Sequence, residues 1–263
     1  MKDRISVDQY TRMSHFYRGI LKHRKHFENQ SEVVDAIIQE TFKSNNLSIL
    51  DAACGTGDVV EILYNSGYKN ISATDGSEEM IKFFSKDLIK KIQVQVCPWI
   101  NLDDYFLKNN PFDLIYILGH SLPHACIDEI PRIFSYIYKG LKPNGIFLFD
   151  VRTWVKGEDQ KLIQPGRPAN VYRDLGIVTT EDGNYHIEDK VTYNDNIQHA
   201  VYRIRKLLSE NPESNSEEIL ELNYSIFNVH EAISMLELAG FNPDKIQQLK
   251  FDNWSYIVIK CTK

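Results

Sequence analysis

Ile49-Leu50-Asp51-Ala52-Ala53-Cys54-Gly55-Thr56-Gly57-Asp58 is the stretch that decides the fold. A short apolar run ends on an acid, a turn of small residues and glycines follows, and Val59-Val60-Glu61-Ile62-Leu63-Tyr64 reads on as a helix. The pattern is a strand, a tight turn and a helix N-terminus with unpaired N–H groups and a positive dipole end. Glycine carries no Cβ, so a ligand can lie against the main chain there. A second strand, Ile71-Ser72-Ala73-Thr74, ends on Asp75. That acid follows the turn by ~20 residues, the spacing at which nucleotide folds place a carboxylate on ribose hydroxyls. A dinucleotide fold asks for G-x-G-x-x-G with a pyrophosphate on the helix end. Here only Gly55 and Gly57 are present, and Asp58 stands where a pyrophosphate would be repelled. A zwitterionic ligand without phosphate fits the turn better.

Outward from this core the chain alternates. Strands are expected at 47–52, 70–75, 92–97, 113–118 and 145–151, with helices at 57–66, 77–88, 102–107 and 127–141. Short buried strands alternating with helices imply a parallel, doubly wound sheet covered on both faces. Residues 1–46 form a helical N-terminal segment: Tyr10, Met13, Phe16 and Tyr17 fall at helical spacing, as do Val33, Val34, Ile37 and Ile38. Between them the basic run from Leu21 to His26 reads as a solvated helix face. Residues 47–154 make up the ligand-binding core, and after Trp154 the pattern changes. Residues 155–168 read as a loop, and alternating segments up to 228 read as an antiparallel meander whose turns fall at 181–184, 194–196 and 210–215. This insertion, 155–228, is expected to stand over the C-terminal edge of the sheet as a substrate-side lid, since ligands of open α/β sheets bind at that edge. Residues 229–263 complete the core with a helix from Val229 to Ala239, capped by Gly240, and strands at 245–251 and 254–261. The fold class is therefore α/β: a Rossmann-like, mostly parallel seven-stranded sheet with an inserted antiparallel β lid and a helical N-terminal segment.

The 263 residues carry a net charge of −6, with an isoelectric point near 5.8. That argues against a nucleic-acid partner held by phosphate neutralisation. No apolar run approaches the ~20 residues that span a membrane. The charged start Met1-Lys2-Asp3-Arg4 has no apolar signal region after it, so a cytoplasmic location is expected. Cys54, Cys97, Cys126 and Cys261 are scattered without metal-ligand spacing, and no metal is expected.

The segment Leu50 to Gly57 resembles motif I of class I S-adenosylmethionine-dependent methyltransferases, and Asp75 matches their ribose-binding acid. Thr74-Asp75-Gly76-Ser77-Glu78-Glu79-Met80 looks like the corresponding stretch of glycine and glycine/sarcosine N-methyltransferases. So do Leu118-Gly119-His120-Ser121-Leu122-Pro123-His124, where that group reads L-G-N-S-F-x-H, and Phe149-Asp150-Val151-Arg152-Thr153-Trp154, similar to its D-x-R-N-Y segment. The resemblance runs from about residue 45 nearly to the end of the chain and implies S-adenosyl-L-methionine as cofactor and S-adenosyl-L-homocysteine as product.

Carried over residue by residue, the resemblance implies these roles. Ala53, Gly55 and Gly57 pack against the methionine moiety and ribose, and Asp75, followed by Gly76, accepts from the ribose hydroxyls. Met80 flanks the adenine, Trp99 lies at its edge, and Leu118 and Gly119 lie near the sulfonium. Arg152 holds the carboxylate of the substrate. Three positions depart from the group: Pro98 replaces a polar residue, His120 an asparagine, and Trp154 a tyrosine. The residues alone give Arg152 two readings. At the end of an apolar strand its guanidinium is placed to take a carboxylate in fork geometry, or to pair structurally with Asp150 or Asp113. His120, titratable near neutral pH, is a candidate to position or deprotonate an amine. His124 is a candidate substrate contact or an orienter of its loop. Tyr10 and Tyr17 could close over the cofactor, and of the insertion tyrosines 172, 185, 193, 202 and 224 most suit cross-strand packing.

The expected activity is methyl transfer to the amine nitrogen of a small, carboxylate-bearing molecule, with a glycine-like acceptor or a bulkier amine. The departures at His120 and Trp154 favour the bulkier one. The alternatives are an O- or ring-N-methyltransferase of a larger metabolite, and a non-catalytic cofactor-binding module. The residues do not specify an oligomeric state.

Overall fold

Two helices, α1 (Gln9–Lys22) and α2 (His26–Thr41), lead into the core in this computed structural model, which describes residues 9–22, 25–44, 46–157, 161–194, 196–207 and 217–263. The charged N-terminal tetrapeptide, the centre of the basic run (His23, Arg24), Asp195 and the turn at 210–215 lie outside the described residues.

The core follows as β1 (Ile49–Asp51), α3 (Asp58–Asn65), β2 (Ile71–Asp75), α4 (Glu78–Ile81), α5 (Lys86–Ile89), β3 (Gln93–Val96), α6 (Leu102–Lys108), β4 (Phe112–Ile117), α7 (Ile130–Gly140) and β5 (Leu141–Val151). Short strands come next, β6 (Val155–Lys156) and β7 (Leu162–Ile163), then four long ones: β8 (Arg173–Thr180), β9 (Gly183–Asn194), β10 (Ile197–Leu207) and β11 (Glu217–Ser225). Helix α8 (Val229–Leu238) and strands β12 (Ile246–Leu249) and β13 (Ile257–Thr262) close the chain.

The central sheet has seven strands in the order β12-β13-β5-β4-β1-β2-β3. β1 to β5 pair in parallel, and β13 runs antiparallel to both β5 and β12. The order reverses beside β1, where Ile49 stands opposite Ile71 on one side and Leu114 on the other. Strand β1 is wholly buried, as suits a continuous apolar run covered on both faces. On one face α7 turns Ile130, Ile133, Phe134 and Ile137 inward at helical spacing, onto Phe147 and Phe149. On the other, Val33, Val34, Ile37 and Ile38 of α2 cover Ile49, Leu114 and Leu148. A capping box between Asn228 and Glu231 starts α8, a feature that stabilises a helix end by about 1 kcal/mol.

Strands β8 to β11 form a separate antiparallel sheet. Its buried face, with Val178, Ile187, Ala200, Ile204 and Leu222, packs on Met13 and Phe16 of α1. At Gly19 the approach is so close that a Cβ would lie 2.2 Å from Val178 Cγ1. Helix α1 is thus held between the inserted sheet and the core.

The structure differs from the sequence expectation in five places. The basic run expected as a helix face is broken between α1 and α2, where Lys25 is left-handed at φ +49°. The helix expected over 77–88 is two short helices, because Phe84 turns inward and is buried against Gly57. The loop expected over 155–168 contains the small β6–β7 hairpin. The turn around Pro143 and Gly145 falls inside β5, as a register shift between Phe112 and Leu114. The strand expected from 254 begins at Ile257, leaving Trp254 and Tyr256 in the approach to it.

Candidate functional site

Two adjoining cavities open where the order of strands reverses. The larger has a volume of about 430 Å³ and lies beyond the C-terminal ends of β1 and β2. Its wall includes Ala53, Gly55, Asp75, Gly76, Met80 and Trp99. Asp75 sits in the middle of the loop's own hydrogen bonding. Its carboxylate accepts from Gly55 N–H and from Ser77 N–H, each at 2.8 Å. Burial raises its pKa against the pull of these bonds. Each oxygen keeps a further lone pair for a ligand. Trp99 is fixed by a 2.6 Å hydrogen bond from its Nε1 to the carbonyl of Ala52.

The two glycines serve different ends. Gly55, with φ +52°, lies on the cavity wall beneath the ring of Tyr17. Gly57, with φ +83°, faces away: a Cβ there would meet Phe84 at 2.5 Å, so its freedom serves packing rather than ligand approach.

Asp58 is paired by Arg18 of α1, whose Nε lies 2.9 Å from a carboxylate oxygen. The same guanidinium donates from Nη2 to the carbonyls of Thr56, at 3.1 Å, and Phe83, at 3.2 Å. One side chain therefore ties α1 to the glycine turn. Asp51 accepts from Ala53 N–H at 3.0 Å and burial pushes its pKa up to about 7. The phenol of Tyr17 is raised by burial and then by Asp75, Asp58 and Asp51 together. The carboxylates make this neighbourhood negative, which suits a cationic ligand and opposes a pyrophosphate.

The inner chamber, about 150 Å³, shares Tyr10, Tyr17, Ser121 and His124 with the larger cavity. It is built on the turn after β4. Gly119 and His120 both adopt left-handed backbone, at φ +78° and +59°, and the Asp150 carboxylate accepts from both of their N–H groups. His120 is buried, with its ring nearly parallel to those of Tyr224 and Tyr256, at 20° and 10°. Burial first, and then the Arg152 charge, hold its pKa well below 6.5. The near-neutral titration expected of this histidine is therefore removed by desolvation. The same causes lower His124 to about 3. His124 Nε2 bonds the hydroxyl of Tyr10, so it joins the core loop to α1.

Arg152 pairs with neither Asp150 nor Asp113; the latter is taken by Lys142. Its Nη1 donates to Gln164 Oε1 at 2.9 Å and Gln198 Oε1 at 2.8 Å. Its Nη2 reaches the Tyr256 hydroxyl only at 3.5 Å, and its Nε is buried with no protein partner. Nε and Nη2 form the side edge of the guanidinium, the edge with which Arg173 takes both oxygens of Asp189.

The structure thus gathers His120, His124, Gly119 and Arg152 at one chamber, and Ala53, Gly55, Asp75, Gly76, Met80 and Trp99 at the other. Leu118 is buried in the core beneath the turn, and Trp154 lies under Arg152, with its Nε1 bonded to the Phe227 carbonyl. Neither lines a cavity. Reading by motif missed Arg18, Gln164, Gln198 and Tyr256. Arg18 stands one residue after Tyr17 on the same amphipathic helix, but nothing local announces its partners. Among the described residues no group of three His, Cys, Asp or Glu side chains is arranged to hold a metal, and no helix is long and apolar enough to cross a membrane.

The fold has counterparts among known proteins. Residues 49–145 match a family described as a methyltransferase domain. A glycine/sarcosine N-methyltransferase of Halorhodospira halochloris is 33% identical over 127 residues, 46% of this chain and 45% of that protein. The chain spans less than half the length of the first curated relatives that it matches. Among solved structures, an S-adenosylmethionine-dependent methyltransferase from Clostridium acetobutylicum superposes with a TM-score of 0.68 at 19% identity, covering 96% of this chain and 97% of that one. The S-adenosylmethionine-bound structure of an amino pentose methyltransferase from Micromonospora echinaspora gives 0.71 at 13% identity, covering 94% of each. The fold is that of class I, S-adenosylmethionine-dependent methyltransferases, and the match to the methyltransferase-domain family falls on its strand-and-helix core, residues 49–145.

Proposed function

We propose that the protein moves a methyl group from S-adenosyl-L-methionine to the amine nitrogen of a small anionic molecule, leaving S-adenosyl-L-homocysteine. The observation that carries the reading is the side edge of Arg152. Two glutamines and Tyr256 hold the guanidinium in place, while Nε and Nη2 are left for a ligand in a chamber that adjoins the glycine-turn cavity. A charge-assisted fork to a carboxylate satisfies that edge. The activity of the similar glycine/sarcosine N-methyltransferase supports nitrogen as the acceptor.

The larger cavity suits the cofactor. Asp75 takes the ribose hydroxyls, Met80 and Trp99 enclose the adenine, and Ala53, Gly55 and Gly76 let the ligand lie on the main chain. The carboxylate of Asp75, on the wall of this cavity, favours the positive charge of the sulfonium. When bound, the cofactor supplies an already activated methyl group. The chain's own task is placement: Arg152 anchors the acceptor, Gly119 and His120 shape the floor, and Tyr10 and Tyr17 shield the junction of the two cavities from water. His120 is held uncharged, so it offers one N–H and one lone pair and acts by positioning the acceptor.

Incubation with labelled S-adenosylmethionine and a panel of amines, amino acids and phenols, read by product mass, tests the reading. The expected products are N-methylated and derive from acceptors with an anionic group. Tight cofactor binding with no transfer to any acceptor would leave a binding module instead.

A further inference from the structure

We infer that the inner chamber selects an anionic acceptor built on a single planar ring, an aryl or heteroaryl acid whose accepting nitrogen is uncharged when it binds. The inference rests on the methyl-transfer reading above and narrows its substrate class.

The first ground is the wall. Tyr10, Tyr202, Tyr224, Tyr256, His120 and His124 all present rings to the chamber. Tyr224, His120 and Tyr256 form a near-parallel stack, and His124 lies 4.5 Å from Tyr224, centroid to centroid. Such walls favour a flat, polarisable body over a flexible aliphatic one. The second is size. At about 150 Å³ the chamber matches the volume at which a protein cavity holds one benzene-sized ring.

The third ground is charge. The described lining of the chamber contains two arginines and no aspartate or glutamate. Arg173 is paired with Asp189, a carboxylate that it shares with the buried Arg167, and Arg152 has only uncharged hydrogen-bond partners. An alkylammonium entering here meets a guanidinium and finds no counterion, at the cost of its own desolvation. His120 and His124 experience the same penalty and stay neutral. An aromatic amine or ring nitrogen arrives without charge and escapes it.

The fourth is unmet hydrogen bonding. Nδ1 and Nε2 of His120, Nδ1 of His124 and Nε of Arg152 are buried without a hydrogen-bond partner among the described residues. Two neutral imidazoles supply both donors and acceptors, so the ring they receive bears polar edges as well as the acid that Arg152 takes. In the transfer step the nitrogen lone pair forms the new N–C bond. The C–S bond of the methyl sulfonium donor breaks, and its electron pair stays on sulfur. An aromatic amine, whose lone pair was shared with the ring, becomes an acidic anilinium on methylation and releases a proton to solvent; a pyridine-type ring nitrogen has no proton to lose and leaves as the N-methyl cation.

Calorimetry on the protein, with and without S-adenosylhomocysteine, compares 4-aminobenzoate with its saturated counterpart 4-aminocyclohexanecarboxylate, with aniline and with glycine. The aromatic acid is expected to bind at least tenfold more tightly than each of the others. In Arg152→Met its advantage over aniline should vanish, and in Tyr256→Leu its advantage over the saturated acid should shrink. Equal or tighter binding of the saturated acid or of glycine overturns the inference. Methylation of glycine or an amino sugar in preference to every ring acid overturns it too, while leaving the methyl-transfer reading standing. Selective binding of the ring acid without transfer supports the chamber assignment and removes the methyl-transfer reading.

Discussion

The carboxylate of Asp150, at the end of β5, holds the backbone N–H groups of both Gly119 and His120, 3.0 and 2.8 Å away. A non-glycine residue in left-handed backbone costs roughly 1–2 kcal/mol, and at His120 this acid offsets it. The strand that supplies Arg152 thereby also shapes the floor of the chamber that Arg152 faces.

Asp150→Asn removes one of the two acceptors and should destabilise the fold by about 1–3 kcal/mol, as measured by urea denaturation. Burial raises the Asp150 pKa to about 7, against about 3.9 in an unfolded chain. The folded state therefore binds this proton more tightly. The stability it contributes is complete below the unfolded value and is lost as pH rises through about 7. Between these limits the stability of Asp150→Asn should vary less steeply with pH than that of the wild type; parallel curves would refute the assignment.

Asp75→Ala removes the expected ribose contact and also frees the N–H groups of Gly55 and Ser77. S-adenosylmethionine binding should weaken by on the order of 1.5–3 kcal/mol. Calorimetry on a folded variant checks this, and unchanged affinity would place the ribose elsewhere.

Arg152→Met and Arg18→Met should separate the two cavities. The first should lower kcat/KM for the acceptor and leave cofactor affinity nearly constant. The second loosens α1 from the glycine turn. Arg18 is 41% exposed, so its ion pair is screened and the loss should be no more than about 1 kcal/mol, read as a several-fold rise in the cofactor KM. An Arg152→Met enzyme with normal turnover would remove the carboxylate-anchor role.

His120→Asn places in left-handed backbone a residue that tolerates it better, so the variant should stay folded. It exchanges a ring for a short amide and should shift preference towards small amino acids, measured as the ratio of kcat/KM for glycine to that for a ring acid. In the wild type, burial favours the neutral form of both imidazoles, holding His120 well below 6.5 and His124 at about 3. The profile of kcat/KM from pH 6 to 8 should show no acidic limb from either histidine. A limb near 6.5 that disappears in His120→Asn would show that His120 titrates in the open.

Much of the architecture could be read because it rests on local signals. The turn at Gly55 and Gly57, the acid at 75 and the alternation of strands and helices are each written within a few residues. The break after Ile81 could not be read locally, since it arises from Phe84 packing against a glycine on another element. The same holds for the site. Arg152 could be placed at a strand end, but Gln164, Gln198 and Tyr256, which aim it, come from three distant segments. The charge state of His120 follows from burial between two tyrosines separated in sequence, and residue type alone suggests the opposite behaviour.

Helix α1 roofs both chambers, with Tyr10 and Tyr17 on each and Arg18 as its tether to the glycine turn. The consequence is kinetic. Under the proposed reaction the cofactor and the acceptor lie beneath the same helix, so variants that loosen α1 are expected to change both dissociation rates together.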